Sequence, residues 1–124
     1  NMAIVNEAIT DQGGGDYRHI MLTVPANKSY AITNILICNT YDPSAANPEN
    51  ETCEFDLHFV PASGSYSDTV TSVVRRLSLP AGETFTLDTE KVVIDAGDSV
   101  QVNGGPSASG TGRLACTVSY LDIT

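Results

Sequence analysis

The feature that most constrains this chain is the period of its apolar residues. They alternate with polar ones over short runs, and no window carries a helical stripe. In Glu54–Val60, Phe55, Leu57 and Phe59 point one way while Glu54, Asp56 and His58 point the other. In Gly112–Leu121, Leu114, Cys116, Val118 and Tyr120 alternate with Arg113, Ala115, Thr117 and Ser119. In Ser99–Asn103, Val100 and Val102 share a face. A period of two belongs to strands with one face on a core and one in water. Tyr30–Thr40 departs from this pattern. Ile32, Ile35, Leu36, Ile37 and Cys38 make it apolar throughout, so it is predicted to be a central strand covered on both sides. A bulge is expected near Thr33–Asn34, where the alternation slips.

Further strands are expected at Ala3–Ile9, Tyr17–Val24, Val73–Leu79, Glu83–Asp88 and Lys91–Ile94. The predicted fold is therefore all-β: a two-sheet antiparallel β-sandwich of about nine strands, jelly-roll or immunoglobulin-like. With 124 residues, the chain is expected to form one domain, residues 1–124. Asn1 ahead of Met2 reads as an added residue, which would make Met2 the natural start, with no export signal. Residues 10–16, with Gly13–Gly15, and 42–52, with Pro43 and Pro48, are expected to be flexible loops.

One corner recurs. Val24–Ile32, Leu79–Leu87 and Ile94–Val102 each read as strand, tight turn, strand. Asn27, Gly82 and Gly97 stand where positive φ is needed.

Charge limits function. Fifteen acids against six bases give a net charge of −9, which disfavours nucleic acid and anionic membranes. No apolar segment is long enough to span a bilayer as a helix. Cys38, Cys53 and Cys116 have no metal-ligand spacing and read as structural thiols.

Candidates for chemistry are few. His58 shares a face with Asp56 and could ligate a metal, but one His with two carboxylates is a weak set. The expectation is a solvated strand face, with no metal and no cofactor. His19, beside Tyr17 and Arg18, is expected to play no chemical role, and Glu49, Glu51, Glu54 and Asp56 are expected to be solvated rather than a catalytic pair. No G-x-S-x-G elbow and no phosphate loop is present. Asp88, Glu90, Asp95 and Asp98 form an acidic cluster without a calcium-loop signature. Asn27-Lys28-Ser29 and Asn50-Glu51-Thr52 match the glycosylation pattern, by chance on this reading.

Several motifs occur in order. A Val-Pro-Ala corner precedes Ile32–Thr40, and Phe55–Pro61 reads Phe-x-Leu-x-Phe-Val-Pro. Leu79–Thr84 and Ile94–Val100 are turns, and Val118–Ile123 closes the chain. In these motifs the chain, over Pro25–Ile123, resembles the small virion structural proteins of tailed bacteriophages, the T4-like cyanophage type. The resemblance implies a non-enzymatic accessory or decoration protein in the virion, assembled in the host bacterial cytoplasm. Its partners would be other capsid or tail proteins, and it would form a homo-oligomer. The alternative is a module of a tail or fibre that binds a host glycan. Tyr41 and Tyr66, both in predicted loops, would be its stacking residues. The residues expected to make contacts are Tyr41, Asp42, Pro43, Tyr66 and Pro106.

Overall fold

A computed structural model describes residues 2–107 and 113–124, with the side chains of 89–91 left undescribed. Its strands are β1 (Met2–Ala8), β2 (Arg18–Thr23), β3 (Ser29–Asn39), β4 (Cys53–Val60), β5 (Ser72–Leu79), β6 (Thr84–Asp95), β7 (Ser99–Gly104) and β8 (Leu114–Asp122). They form two four-stranded antiparallel sheets, sheet A in the order β1-β8-β3-β6 and sheet B in the order β2-β7-β4-β5. This order is that of a jelly roll, which decides between the two sandwich topologies open from sequence. The stretches expected as separate strands at 83–88 and 91–94 are halves of β6, because β3 pairs with both. The slip expected at Thr33–Asn34 is a register shift between Ile32 and Asn34 against both neighbours of β3.

The core lies between the sheets. Sheet A contributes Ile32, Ile35, Ile37, Cys116 and Val118, and sheet B contributes Met21, Phe55, Leu57, Val100 and Val102, all buried. Phe55 of sheet B meets Phe85 of sheet A with ring centroids 5.3 Å apart. The three cysteines are free thiols. Burial pushes the Cys116 thiol up to about 12, which keeps it protonated and unreactive at neutral pH.

The connections β1–β2, β3–β4, β5–β6 and β7–β8 gather at one end. The clamp there is Asn39, which is fully buried. Its amide donates to the carbonyls of Glu51 (2.7 Å) and Leu79 (3.0 Å), and its Oδ1 accepts from the Tyr41 N–H (3.1 Å). One side chain thus ties β3, the β3–β4 connection and the end of β5. A 3-10 turn, Pro48–Asn50, precedes Glu51, which is itself buried and accepts from the Ser107 hydroxyl at 2.7 Å.

The recurrent corner has positive φ at Asn27, Gly82 and Gly97. At Gly82 the space is also taken: a Cβ there would lie 2.7 Å from the Pro43 ring, with φ at +78°. Gly82→Ala should therefore cost about 1–2 kcal/mol from strained φ and crowding. The expected readout is a lower urea midpoint at unchanged slope.

Candidate functional site

The structure divides the expected contact residues between the two ends. Tyr41, Asp42 and Pro43 lie in the β3–β4 connection, and Pro106 follows β7 at the same end. The Asp42 carboxyl is held below its usual range by hydrogen bonds from the Ser44 hydroxyl and N–H. Pro43 packs on the Gly82 corner, and Pro106 lines a groove of about 500 Å³ with Glu54, Asp56, Arg76 and Asn103. Tyr66 belongs to the β4–β5 connection at the opposite end.

Neither tyrosine is a free stacking platform. The Tyr66 ring stacks on His58 at 3.9 Å between centroids, and the Arg18 guanidinium sits 4.6 Å from the same centroid. The ring is therefore already packed against two planar groups. Tyr41 carries the Arg113 guanidinium 5.0 Å from its ring centre, and its hydroxyl donates to the Ala46 carbonyl.

The outer faces of the two sheets differ. On sheet A, the register places Met2, Leu121, Ala31 and Val93 in one row, and Asn6, Thr117, Leu36 and Thr86 in another. Ile4 and Ser119 pair between these rows, and Thr33 reaches both the Ser119 hydroxyl and the Met2 sulfur. Met2, Ile4 and Val93 are at least half exposed, and Leu36 is 36% exposed. Among the described side chains of this face, the charged ones are Asp88 and Asp95, both on edge strand β6. The uncharged outer surface of the other three strands, β1, β8 and β3, stands out on a chain with a net charge of −9.

The outer face of sheet B is polar and partly roofed. Residues 61–71 fold back across β4, so His58 is fully buried and Asp56 nearly so. This corrects the expectation of a solvated strand face at Asp56 and His58. Alternation does place both on the outer face, but the connection that returns over them has no sequence signature. Asp56 accepts from the Arg75 guanidinium (2.8 Å) and from the Arg76 N–H (2.6 Å). That second bond holds Arg76 at φ +49°, in the β4–β5 register shift that breaks the open edge of β5.

Asp68, from the roofing connection, stands 3.8 Å from His58 Nε2 and 3.6 Å from Arg75. Desolvation holds the His58 imidazole below its usual pKa, with Asp56 and Asp68 opposing it. Burial likewise pushes the Tyr66 phenol up. Asp68, Arg75, Arg18 and Thr71 were not singled out from sequence, because the roof that gathers them is a long-range arrangement.

The other candidates have structural partners. His19 is buried, bonded through Nε2 to Thr10 and Gln12, with Glu7 at 3.6 Å. Glu51 is buried rather than solvated, 3.6 Å from Arg113. In the acidic cluster, Asp98 accepts from the Ala62 and Asp95 N–H groups, while the side chain of Glu90 lies outside the described residues. Among the described residues, no helix is long and apolar enough to cross a membrane.

No protein-family model matches the chain, and no curated protein matches it. Among solved structures, it is similar to one of the infectious bursal disease virus Gx strain. The TM-score is 0.45 at 11% identity, over 98% of this chain and 32% of that chain. It is also similar to one of a T13 infectious bursal disease virus particle, with a TM-score of 0.43 at 9% identity, over 98% of this chain and 31% of that chain. The chain thus spans about a third of the length of the chains it resembles.

Proposed function

We propose that the chain is a non-enzymatic structural component of a tailed-phage virion. It docks on capsid or tail through the outer face of sheet A. The observation that carries this reading is the partly aliphatic character of that face, uncharged across β1, β8 and β3, with Met2, Ile4, Leu36 and Val93 exposed. On the outer side of β3, Ala31 is buried among its neighbours and Cys38 is half-buried, while Leu36 between them is 36% exposed. A second protein on the outer side would cover Leu36.

Charge names the partner's chemistry. A chain at −9 repels other acidic surfaces, so close contact is cheapest where acids are absent. The partner surface is therefore an uncharged, apolar patch of a neighbouring virion protein, where a dry interface centre is favourable. The motif resemblance over Pro25–Ile123 supports a phage accessory protein. The jelly-roll order is compatible with it by analogy of fold alone. The glycan alternative is not favoured, since the Tyr66 ring already packs against His58 and Arg18 and the Tyr41 ring against Arg113.

The test is quantitative mass spectrometry of purified particles of the virus that encodes the chain. A fixed copy number per particle, kept through washing in high salt, is the expected result. Protein found only free in the infected cell would refute the proposal.

A further inference from the structure

The hydrogen bonds around His58 have a one-sided balance. Thr71 Oγ1 donates to the Ser67 carbonyl (2.9 Å) and accepts from the Ser67 N–H (3.0 Å). Its only hydrogen is spent, so at 2.7 Å it accepts from His58, and Nδ1 carries the imidazole hydrogen. Nε2 then presents a lone pair, on a side chain that is fully buried. Polar atoms beside it are the Ser72 hydroxyl oxygen at 3.5 Å and Asp68 Oδ1 at 3.8 Å. The Ser72 hydrogen is also committed, to the Asp68 carbonyl at 2.9 Å. A carboxylate has none to give.

Three ligand-type atoms, one each from Asp56, His58 and Asp68, lie within 4.8 Å of one another. We infer that they form a binding site for a divalent cation of the zinc type, which would pin the roofing connection to β4. The donor set favours zinc over calcium or magnesium, because the imidazole nitrogen is of little use to a hard, oxygen-seeking cation. Ligands at the usual ~2.0–2.1 Å stand about 3.3 Å apart around a tetrahedral ion. The cluster therefore needs a contraction of up to about 1.5 Å. Asp68, half exposed on a connection, can supply it.

The surrounding bonds are of the kind that orient metal ligands. Thr71 fixes the histidine tautomer, and the Arg76 N–H fixes the Asp56 carboxylate. Arg75 now holds the positive charge beside both carboxylates, at 2.8 Å from Asp56 and 3.6 Å from Asp68. It is 43% exposed, so it can swing into solvent when a cation takes its place.

The experiment is calorimetric titration of the chelator-treated full chain with zinc chloride, with calcium and magnesium chloride in parallel. Wild type should bind one zinc and neither of the others. Asp68→Asn, a half-exposed position safe for folding, should weaken zinc at least tenfold, and Arg75→Met should tighten it. No zinc binding in wild type would overturn the inference. So would equal affinity in Asp68→Asn, which would place the metal elsewhere, for instance on Cys38. Weaker binding in Arg75→Met would also contradict it.

Discussion

Replacing Ile4 and Leu36 together by Glu should abolish the proposed association with the particle while the sandwich still folds. Both side chains point outward from sheet A, 66% and 36% exposed, so charge there is solvated in the free protein. Changes at such positions shift stability by about half a kcal/mol each. In the docked state, two carboxylates would be buried against an apolar patch without partners, at several kcal/mol apiece even after relaxation. Association should fall by at least about a hundredfold. Cosedimentation with particles measures it, and urea unfolding of the free protein checks the fold. Ile20→Glu is the control: it is 57% exposed but lies on the opposite face, and should bind as wild type does. Unchanged occupancy for the double variant would remove sheet A from the account.

Asn39→Ala is the substitution expected to destabilise most per atom removed. Asn39 makes three hydrogen bonds, two donated and one accepted, from a position with no solvent exposure. Its loss leaves the Glu51 and Leu79 carbonyls without this donor and opens a polar cavity. Each unsatisfied buried group costs about 1–3 kcal/mol, so a total of about 3 kcal/mol is expected. Because the clamp joins the end of β3 to the β3–β4 connection and β5, hydrogen exchange should also rise locally in 40–52. A change below about 0.5 kcal/mol, the range of ordinary surface substitutions, would mean that the clamp is not structural.

Much of the sandwich was legible because each strand's pattern is local. Phe55, Leu57 and Phe59 gave β4 its inner face, and Leu114, Cys116 and Val118 gave β8 its own. The corners at Asn27, Gly82 and Gly97 were legible because positive φ restricts residue type. Thr89 and Glu90 separate two strands on the sequence reading, yet they lie within one strand. Pairing with β3 on both sides of them overrides their local preference. The choice of jelly roll over immunoglobulin-like order depends on which strands pair across the chain, and no local pattern encodes that.

The candidate sites were less legible, for the same reason. The apolar pattern of β3 predicts two covered sides, and the structure leaves Leu36 on its outer side 36% exposed. Met2 and Ile4 are ordinary exposed residues until the register sets them beside Leu121, Ser119 and Thr33. Asp56 and His58 were placed on one face by spacing alone. Asp68 joins them only because residues 61–71 turn back over the sheet, with Tyr66 stacked on His58. The alternation showed which way the side chains point, but not what lies on top of them.

The central claim is that sheet A is the docking face of a virion component, and a high-resolution cryo-electron microscopy reconstruction of the intact particle tests it most directly. The account predicts an eight-stranded sandwich on the capsid or tail, with Met2, Ile4, Leu36 and Val93 against a neighbouring protein and the Tyr66 roof of sheet B facing solvent. A sandwich attached through sheet B or through the Tyr41–Pro43 end, or a particle without it, would contradict the account.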